Sequence, residues 1–508
     1  MNHWIAAPLL LPPLVGAIML ISLRHHLELA RVFSVASITL LLAIGGWLVA
    51  ESGTGVIQSY ELGAWPAPFG IVLVLDRLSA LMVALTAAVG LATVLYAIGS
   101  GWDRRGRHFH ALMQLQMMGL CGAFLTGDLF NLFVFFEVLL IASYGLMVHG
   151  AGKRRLRAGV QYVVYNLLGS TLFLFALGAI YAVTGTLNMA DLALRVAEIP
   201  EANTALIRVA AVLLLLVFAV KAALIPLHFW LPATYAEAPG PVAALFAIMT
   251  KVGVYAIIRV FTLIFGASAP ATANLAEGLL MPAAMLTLAL GAIGVLGARR
   301  LGTMAAMATV ASVGTLLIAA SAFTPQSLAA SLFYMIHSTL ACAVLFLVVD
   351  LVRARRENGY DGLTPAPPIA QAGLVASLYF AAAIGMAGLP PLSGFIGKLL
   401  ILDAMRPQES AWLIWSLILL SSLIMLVGFA RAGIMVFWQT SEDAAEAHAA
   451  ERQPVLPFAA VFGLLGVIVA LTILAQPVMD FLSGTASQLH DPSTYIDAVL
   501  KRPGVAAP

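Results

Sequence analysis

Five ionisable residues lie within long apolar stretches of the sequence: Glu137, Lys221, Lys251, His337 and Lys398. A buried amine loses the hydration that stabilises its charge, so its pKa falls toward the range in which it can release and rebind a proton. A neighbouring carboxylate has the opposite effect, and histidine can relay a proton in either direction. The set predicts a proton pathway, in which a Glu–Lys pair of variable separation acts as a switch of proton affinity.

The use of lysine supports this interpretation. Lysine and arginine together number 26, but only five are lysine, and three of those five are the apolar-segment lysines above. Arginine never releases its proton, which explains why the cations inside apolar segments are lysines while the loops carry arginines. Any one of these residues taken alone could belong to a structural ion pair. Five together, beside interrupted helices, are hard to explain by structure only.

The composition identifies the elements that must position these groups. Of 508 residues, 62% are hydrophobic and 10% are charged, which excludes a soluble enzyme, a disordered protein and a nucleic-acid binder. The net charge of +2 suggests no polyanionic partner. Cys121 and Cys342 both lie in apolar runs, and we predict no disulfide, no metal site and no cofactor. The N-terminus lacks the basic region of a signal peptide and is interpreted as a retained first span.

Apolar stretches of about 20 residues, the length that crosses a bilayer as a helix, occur fourteen times. Alternating strands of a barrel are absent, so the sequence predicts an all-α polytopic membrane protein in contact with lipid. The predicted spans are 4–23, 31–50, 73–99, 108–126, 129–150, 160–184, 206–230, 241–265, 275–297, 303–322, 328–350, 370–406, 411–438 and 455–482.

Loop charge predicts the orientation. Alternate loops carry arginine clusters, for example Arg104, Arg105 and Arg107, while the loops between them carry few basic residues. The basic side is expected to be cytoplasmic, so both termini of a fourteen-span chain would lie on the non-cytoplasmic side.

Proline interrupts the seventh and twelfth spans, at Pro226 and at Pro390. These breaks are 164 residues apart, and the fourth and ninth spans start 167 residues apart. Broken helices in two halves of a chain are typical of a transport site, and the spacing predicts two inverted five-helix repeats, spans 4–8 and 9–13. The predicted organisation is a three-helix segment, two repeats, and a final part with an acidic loop at 440–453, the last helix and a tail: 1–107, 108–265, 275–438 and 439–508.

Several motifs resemble the antiporter-like membrane proteins, a family that includes the proton-pumping subunits of respiratory complex I and the Mrp-type multisubunit cation/proton antiporters. The resemblance covers roughly residues 70–440, and the length and motifs are most similar to the Mrp-type members. The segments that carry it are Gly127–Glu137, Val220–Pro232, Ala236–Pro239, Thr250–Arg259, Tyr334–His337 and Gly388–Lys398.

The resemblance implies that Glu137 modulates Lys221 and that protons pass along Lys221, Lys251, His337 and Lys398 in exchange for Na⁺ or K⁺. It also implies a secondary transporter subunit rather than an enzyme, without a redox cofactor, in a hetero-oligomeric antiporter complex of the bacterial inner membrane. Related sequences often carry a lysine where this chain has Cys342, which places more of the relay on His337.

Two alternatives remain open at this point. The chain could be a proton-pumping subunit of an NADH–quinone oxidoreductase or a related redox complex, although Lys398 disfavours the complex I subunit whose terminal residue is acidic. It could also be a scaffold subunit with degenerate charges.

Overall fold

The computed structural model describes residues 3–200, 204–356, 359–439 and 454–501. Nineteen α-helices form most of this part of the chain. The first ten are α1 Ala7–Ile21, α2 Leu27–Ser52, α3 Arg77–Ser100, α4 Phe109–Leu125, α5 Leu129–Met147, α6 Lys153–Thr184, α7 Met189–Ala197, α8 Thr204–Ala222, α9 Trp230–Glu237 and α10 Gly240–Leu263. The others are α11 Leu275–Gly297, α12 Leu301–Ala320, α13 Pro325–Arg353, α14 Ala372–Ala387, α15 Ser393–Ala404, α16 Ala411–Phe437, α17 Val455–Ile473, α18 Ala475–His490 and α19 Pro492–Leu500.

Eleven of the described helices are long and apolar enough to cross a membrane. The remaining predicted spans contain α1, α4 and α14, which are apolar but only 15, 17 and 16 residues long. A mostly helical polytopic membrane fold is thereby confirmed, whereas the number of fourteen crossings and the inverted repeats stay predictions. The predicted acidic loop at 440–453 lies outside the described residues.

The prediction of an all-α chain is wrong for a short segment before α3. Strands β1 Gln58–Glu61 and β2 Val72–Leu75 form an antiparallel hairpin. The predicted third span therefore begins too early, because the Asp76 carboxylate caps α3 by accepting a hydrogen bond from the Ser79 amide at 2.8 Å. Hydropathy did not reveal this boundary, since all four residues of β2 are apolar and buried.

The predicted last span is too long by nine residues, because α17 ends at Ile473 and a second helix, α18, follows at once. This second helix buries only one face, which contains Leu482, Ala486 and Leu489. It packs against α13 and α3 rather than extending α17. Residues 475–482 therefore belong to this amphipathic helix and not to α17.

The arginine-rich loops meet on one face of the molecule, as the alternation of loop charge predicts. Arg155, after α5, donates from Nε to the carbonyl oxygen of Glu237 at 2.9 Å. Arg300, between α11 and α12, forms an ion pair with the Glu237 carboxylate. Arg31, at the start of α2, binds Asp103 at 2.6 Å. We call this side the basic face.

Both described ends of the chain lie at the opposite side, next to the β-hairpin. The His3 ring lies 3.2 Å from the Tyr60 hydroxyl, and Lys501 forms an ion pair with Glu61 at 2.6 Å. The hairpin precedes α3 and the basic loop with Asp103 follows it, so the 24 residues of α3 separate the two faces by about 36 Å. Which face is cytoplasmic stays a prediction.

A buried ion pair joins the hairpin side to the centre of the bundle. Arg259 of α10 lies 2.6 Å from one oxygen of Asp76 and 2.8 Å from the other, and the two residues are 3% and 2% exposed. The Arg259 guanidinium also lies 5.3 Å from the ring centre of Tyr495, in α19. The pair connects three elements that are far apart in sequence.

We expect Arg259→Met to destabilise the fold by about 3–5 kcal/mol, because it leaves the Asp76 carboxylate buried without a counter-charge. The measurement is thermal unfolding of the purified protein in detergent. The double variant Asp76→Asn/Arg259→Met is the control, since asparagine keeps the cap of α3 without a charge, and it should recover part of the loss. Wild-type stability of the single variant would show that the pair does not hold these elements together.

Candidate functional site

The structure places four of the five predicted site residues deep inside the bundle. Glu137, in α5, is half-buried. The other four are almost inaccessible: Lys221 at the end of α8 (6% exposed), Lys251 in α10 (0%), His337 in α13 (1%) and Lys398 in α15 (7%). Charged groups at such depth in a membrane protein usually face a functional path, because burying them is costly.

Helix α6 bridges the first two of these residues. Glu137 and Lys221 are not among the ion pairs formed by the described residues. Instead, the Ser170 hydroxyl donates to the Glu137 carboxylate, and the Lys221 ammonium donates to the amide oxygen of Asn166 at 3.2 Å. Asn166 and Ser170 are four residues apart and therefore share one face of α6. Sequence reasoning missed both, although their four-residue spacing in a long apolar helix was an available signal.

A small cavity separates Lys221 from α10. Its volume is about 10 Å³, close to the minimum for one water molecule. Lys221 and Asn166 line one part of it, and Met249 and Val252 of α10 line another. The cavity therefore lies between Lys221 and the turn of α10 that carries Lys251.

Gly253 allows α8 and α10 to pack this closely. A Cβ atom at this position would lie 2.5 Å from the amide nitrogen of Ala222 and 2.8 Å from the carbonyl oxygen of Phe218. Both are backbone atoms of α8 that a side-chain rotation cannot move away. A residue without a side chain is thus required where the helix of Lys251 crosses the end of the helix of Lys221.

Lys251 differs from the other two buried lysines in that no hydrogen-bond acceptor among the described residues contacts its ammonium group. Cys342 lies within electrostatic range of it, and the Cys342 thiol in turn lies 3.5 Å from the Thr309 hydroxyl and 3.9 Å from that of Ser312. Because an uncompensated buried charge destabilises a fold, stability alone does not explain a lysine here.

His337 connects the two parts of the second broken helix. Its Nε2 atom lies 3.0 Å from the carbonyl oxygen of Gly385, near the end of α14, and its Nδ1 atom lies 2.8 Å from the hydroxyl of Ser393, at the start of α15. A carbonyl oxygen only accepts hydrogen bonds, so Nε2 carries a proton. In the neutral ring the Ser393 hydroxyl then donates to Nδ1.

Lys398 also binds across this break. Its ammonium donates to the carbonyl oxygen of Ala387, the last residue of α14, at 2.8 Å and to the Ser422 hydroxyl of α16 at 2.7 Å. A cation at a helix C-terminus is stabilised by the unpaired carbonyl groups there. Gly388 makes room for it, because its φ of +77° suits glycine and a Cβ atom there would lie 2.6 Å from Cδ of Lys398.

An ion-pair network stabilises the basic face near the end of α9. Besides contacting Glu237, Arg300 binds Asp361 at 2.8 Å, and Arg353 binds the same carboxylate at 2.6 Å. Burial opposes the charge of Asp361, but the two guanidinium groups hold its pKa below the ordinary value. In the described ranges of the chain, no three His, Cys, Asp or Glu side chains converge as metal ligands would.

Broken membrane helices with buried lysines beside the breaks are features of ion-transport subunits. Residues 126–425 match the family described as NADH:quinone oxidoreductase/Mrp antiporter, transmembrane. The chain belongs to this family, and within it to the antiporter D subunits of the Mrp type, as its relatives show.

The chain is 40% identical to the D subunit of a probable K⁺/H⁺ antiporter of Rhizobium meliloti, over 99% of this chain and 98% of the relative. It is also 40% identical to the D subunit of a Na⁺/H⁺ antiporter of Bacillus subtilis, over 99% of this chain and 100% of the relative. A chain of the Mrp complex from Dietzia sp. has a similar fold, with a TM-score of 0.88 and 28% identity over 98% of this chain and 100% of that one. The resemblance to the Mrp-type antiporters is confirmed.

We expect His337→Leu to lower thermal stability by about 1–3 kcal/mol, because the Gly385 carbonyl and the Ser393 hydroxyl lose their buried partner. His337→Gln, whose amide can both donate and accept, should retain most of the stability. Thermal unfolding of the two purified variants measures the difference. Equal stability of the two variants would show that His337 does not hold the ends of the broken helix together.

Proposed function

We propose that this chain is the proton-translocating D subunit of a monovalent cation/proton antiporter complex. Protons move along Glu137, Lys221, Lys251, His337 and Lys398, in exchange for Na⁺ or K⁺. The observation that carries this proposal is the line of buried titratable side chains beside two interrupted helices. Hydrogen bonds to α6 hold Glu137 and Lys221 on one helix face, and the small cavity lies beside Lys221. His337 and Lys398 both bind at the break between α14 and α15.

Electrostatic contacts between these residues support the proposed path. Glu137 lies within electrostatic range of Lys221, and α6 holds both groups. His337 lies within electrostatic range of both Lys251 and Lys398, so protonation of any one of the three alters the proton affinity of its neighbours. Cys342 occupies the position at which related sequences often have a lysine, and its thiol lies 3.9 Å from the Ser312 hydroxyl.

The proposal also covers the membrane, the partner subunits and the orientation of the chain. The protein works in a bacterial cell membrane with other Mrp subunits, the basic face is cytoplasmic, and both termini are on the non-cytoplasmic side. The antiporter role is favoured over a role in a redox complex, because the two relatives that are 40% identical over 99% of this chain are antiporter D subunits.

Glu137→Gln should abolish cation-induced proton movement, because the amide cannot tune the proton affinity of Lys221. Ser170→Ala should slow exchange roughly tenfold, since a hydrogen bond to a charged group is lost. The assay is Na⁺- or K⁺-induced dequenching of a pH-sensitive dye in inverted membrane vesicles that contain the whole complex. Thr171→Ala is the matched control, because this hydroxyl is on the exposed side of α6 and bonds only to its own helix. Equal effects of the two alanine variants would contradict the bridge through α6.

Lys221→Ala and Lys398→Ala should each reduce exchange to background, because each removes a proton carrier from the line. Lys501→Ala removes the same charge from the exposed end of α19 and should leave exchange unchanged. Exchange is measured in the same vesicles, and co-purification of the other subunits reports assembly. Normal exchange in an assembled Lys221→Ala or Lys398→Ala complex would remove that residue from the path.

A further inference from the structure

A second polar site lies on the basic face, apart from the line of buried lysines. A cavity of about 300 Å³ opens between the α1–α2 turn and the connection from α3 to α4. We call it the N-terminal basic pocket and define it by its basic lining residues: Arg24, His25, Arg104, Arg105, Arg107, His108 and His110. None of these residues has a part in the proposed proton path.

The pocket has an excess of positive charge that the protein does not neutralise. Its one carboxylate, Asp103, already accepts hydrogen bonds from Arg31 at 2.6 and 3.0 Å and from His110 at 3.2 Å. Burial disfavours the charged carboxylate, but these donors keep the pKa of Asp103 below its ordinary value. Its negative charge is therefore engaged by Arg31 and His110. The side chains of Arg24, Arg104 and Arg107 are exposed and form no ion pair with any residue that the structure describes.

The start of α4 is a further feature of the pocket that suits an anion. This 17-residue helix begins at Phe109, and no side chain caps it. Phe109, His110 and Ala111 of its first turn line the pocket. Because the first amide groups of a helix have no partner within the helix, they can donate to an anion at this end.

The rest of the pocket is apolar, and this determines the kind of anion. Met19, Leu20 and Leu23 of the α1 end line it beside the arginines. Above them α1 presents Ile18 and Leu14 to the surroundings, with 43% and 63% of each residue exposed. A small soluble anion makes no contact with this apolar surface, whereas the acyl chains of a lipid would cover it. Basic pockets between membrane helices commonly hold anionic headgroups.

We propose that the N-terminal basic pocket binds the phosphate of an anionic phospholipid, with the acyl chains along the exposed face of α1. The guanidinium groups of Arg24, Arg104 and Arg107 surround the phosphate, and the first turn of α4 donates to it. The bound lipid joins the ends of α1, α3 and α4, and so stabilises the N-terminal helices against the first repeat.

The test uses the full chain, purified in detergent with the complex into which it assembles. Phosphatidylglycerol or phosphatidylcholine is added in steps, and native mass spectrometry counts bound lipids while thermal unfolding reports stabilisation. We expect one tightly bound phosphatidylglycerol and a higher unfolding temperature with that lipid only. The variant Arg24→Gln/Arg104→Gln/Arg107→Gln should bind it roughly a hundredfold more weakly, since each basic residue near a membrane surface contributes about fivefold.

The matched control is Arg154→Gln/Arg157→Gln/Arg299→Gln, which removes three exposed arginines from the same face outside the pocket. It should bind the lipid as tightly as the wild type. A single Arg24→Gln variant tests the pocket with less risk to folding and should weaken binding several-fold.

Three results would overturn the proposal. Equal affinity of the pocket variant and the control variant for phosphatidylglycerol would show that the basic face attracts anionic lipid nonspecifically, with no defined binding site. Equal stabilisation by inorganic phosphate at the same concentration would identify a site for a free anion rather than for a lipid. A partner protein that crosslinks to Cys introduced at position 107, with no lipid bound, would identify the pocket as a protein interface.

Discussion

An ammonium group inside a membrane protein is stabilised by hydrogen-bond acceptors, and an intact α-helix offers few of them, because its carbonyl groups already bind its own amides. The structure meets this requirement by ending α14 at Ala387. Its carbonyl becomes available to Lys398, the nearby carbonyl of Gly385 binds His337, and Gly388 leaves the space that the lysine side chain needs. The second broken helix, formed by α14 and α15, is therefore the element that stabilises two buried titratable groups. Helices α13 and α16 pack against it.

The first half of the chain meets the same requirement in another way. Lys221 comes before its break rather than after it, and its acceptor is the side-chain amide of Asn166 on α6. A backbone carbonyl is fixed by its helix, whereas an amide side chain can change rotamer. Because Ser170 binds Glu137 on the same face of α6, a small movement of this helix changes the environments of both charges together. The contact of Glu137 with Lys221 is thus indirect and runs through Ser170 and Asn166 of α6.

Much of the fold and of the site could be predicted from the sequence, because the membrane limits the choice of structure. Long apolar segments have to be helices, and rare charged residues within them have to face the protein. Both expectations are met by Lys251 and His337. The partner of Lys398 on α16, Ser422, could not be predicted, since a single serine in a membrane helix carries no signal of its own. Only Asn166 and Ser170, four residues apart on α6, have a spacing that could have indicated them. The β-hairpin was missed because β2 is as apolar as the helix that follows it.

By itself, the sequence determined the apolar helices, the chemical types of the buried groups, the two proline breaks and the family. All of these are properties of a residue and its immediate neighbours along the chain. Only the tertiary structure decided which groups meet. Asp76 and Arg259, which are 183 positions apart, form a buried pair, whereas Glu137 and Lys221 are held by a third helix instead of by each other. The physical reason is that a hydrogen bond depends on which helix faces pack together, and hydropathy along a chain contains no information about that.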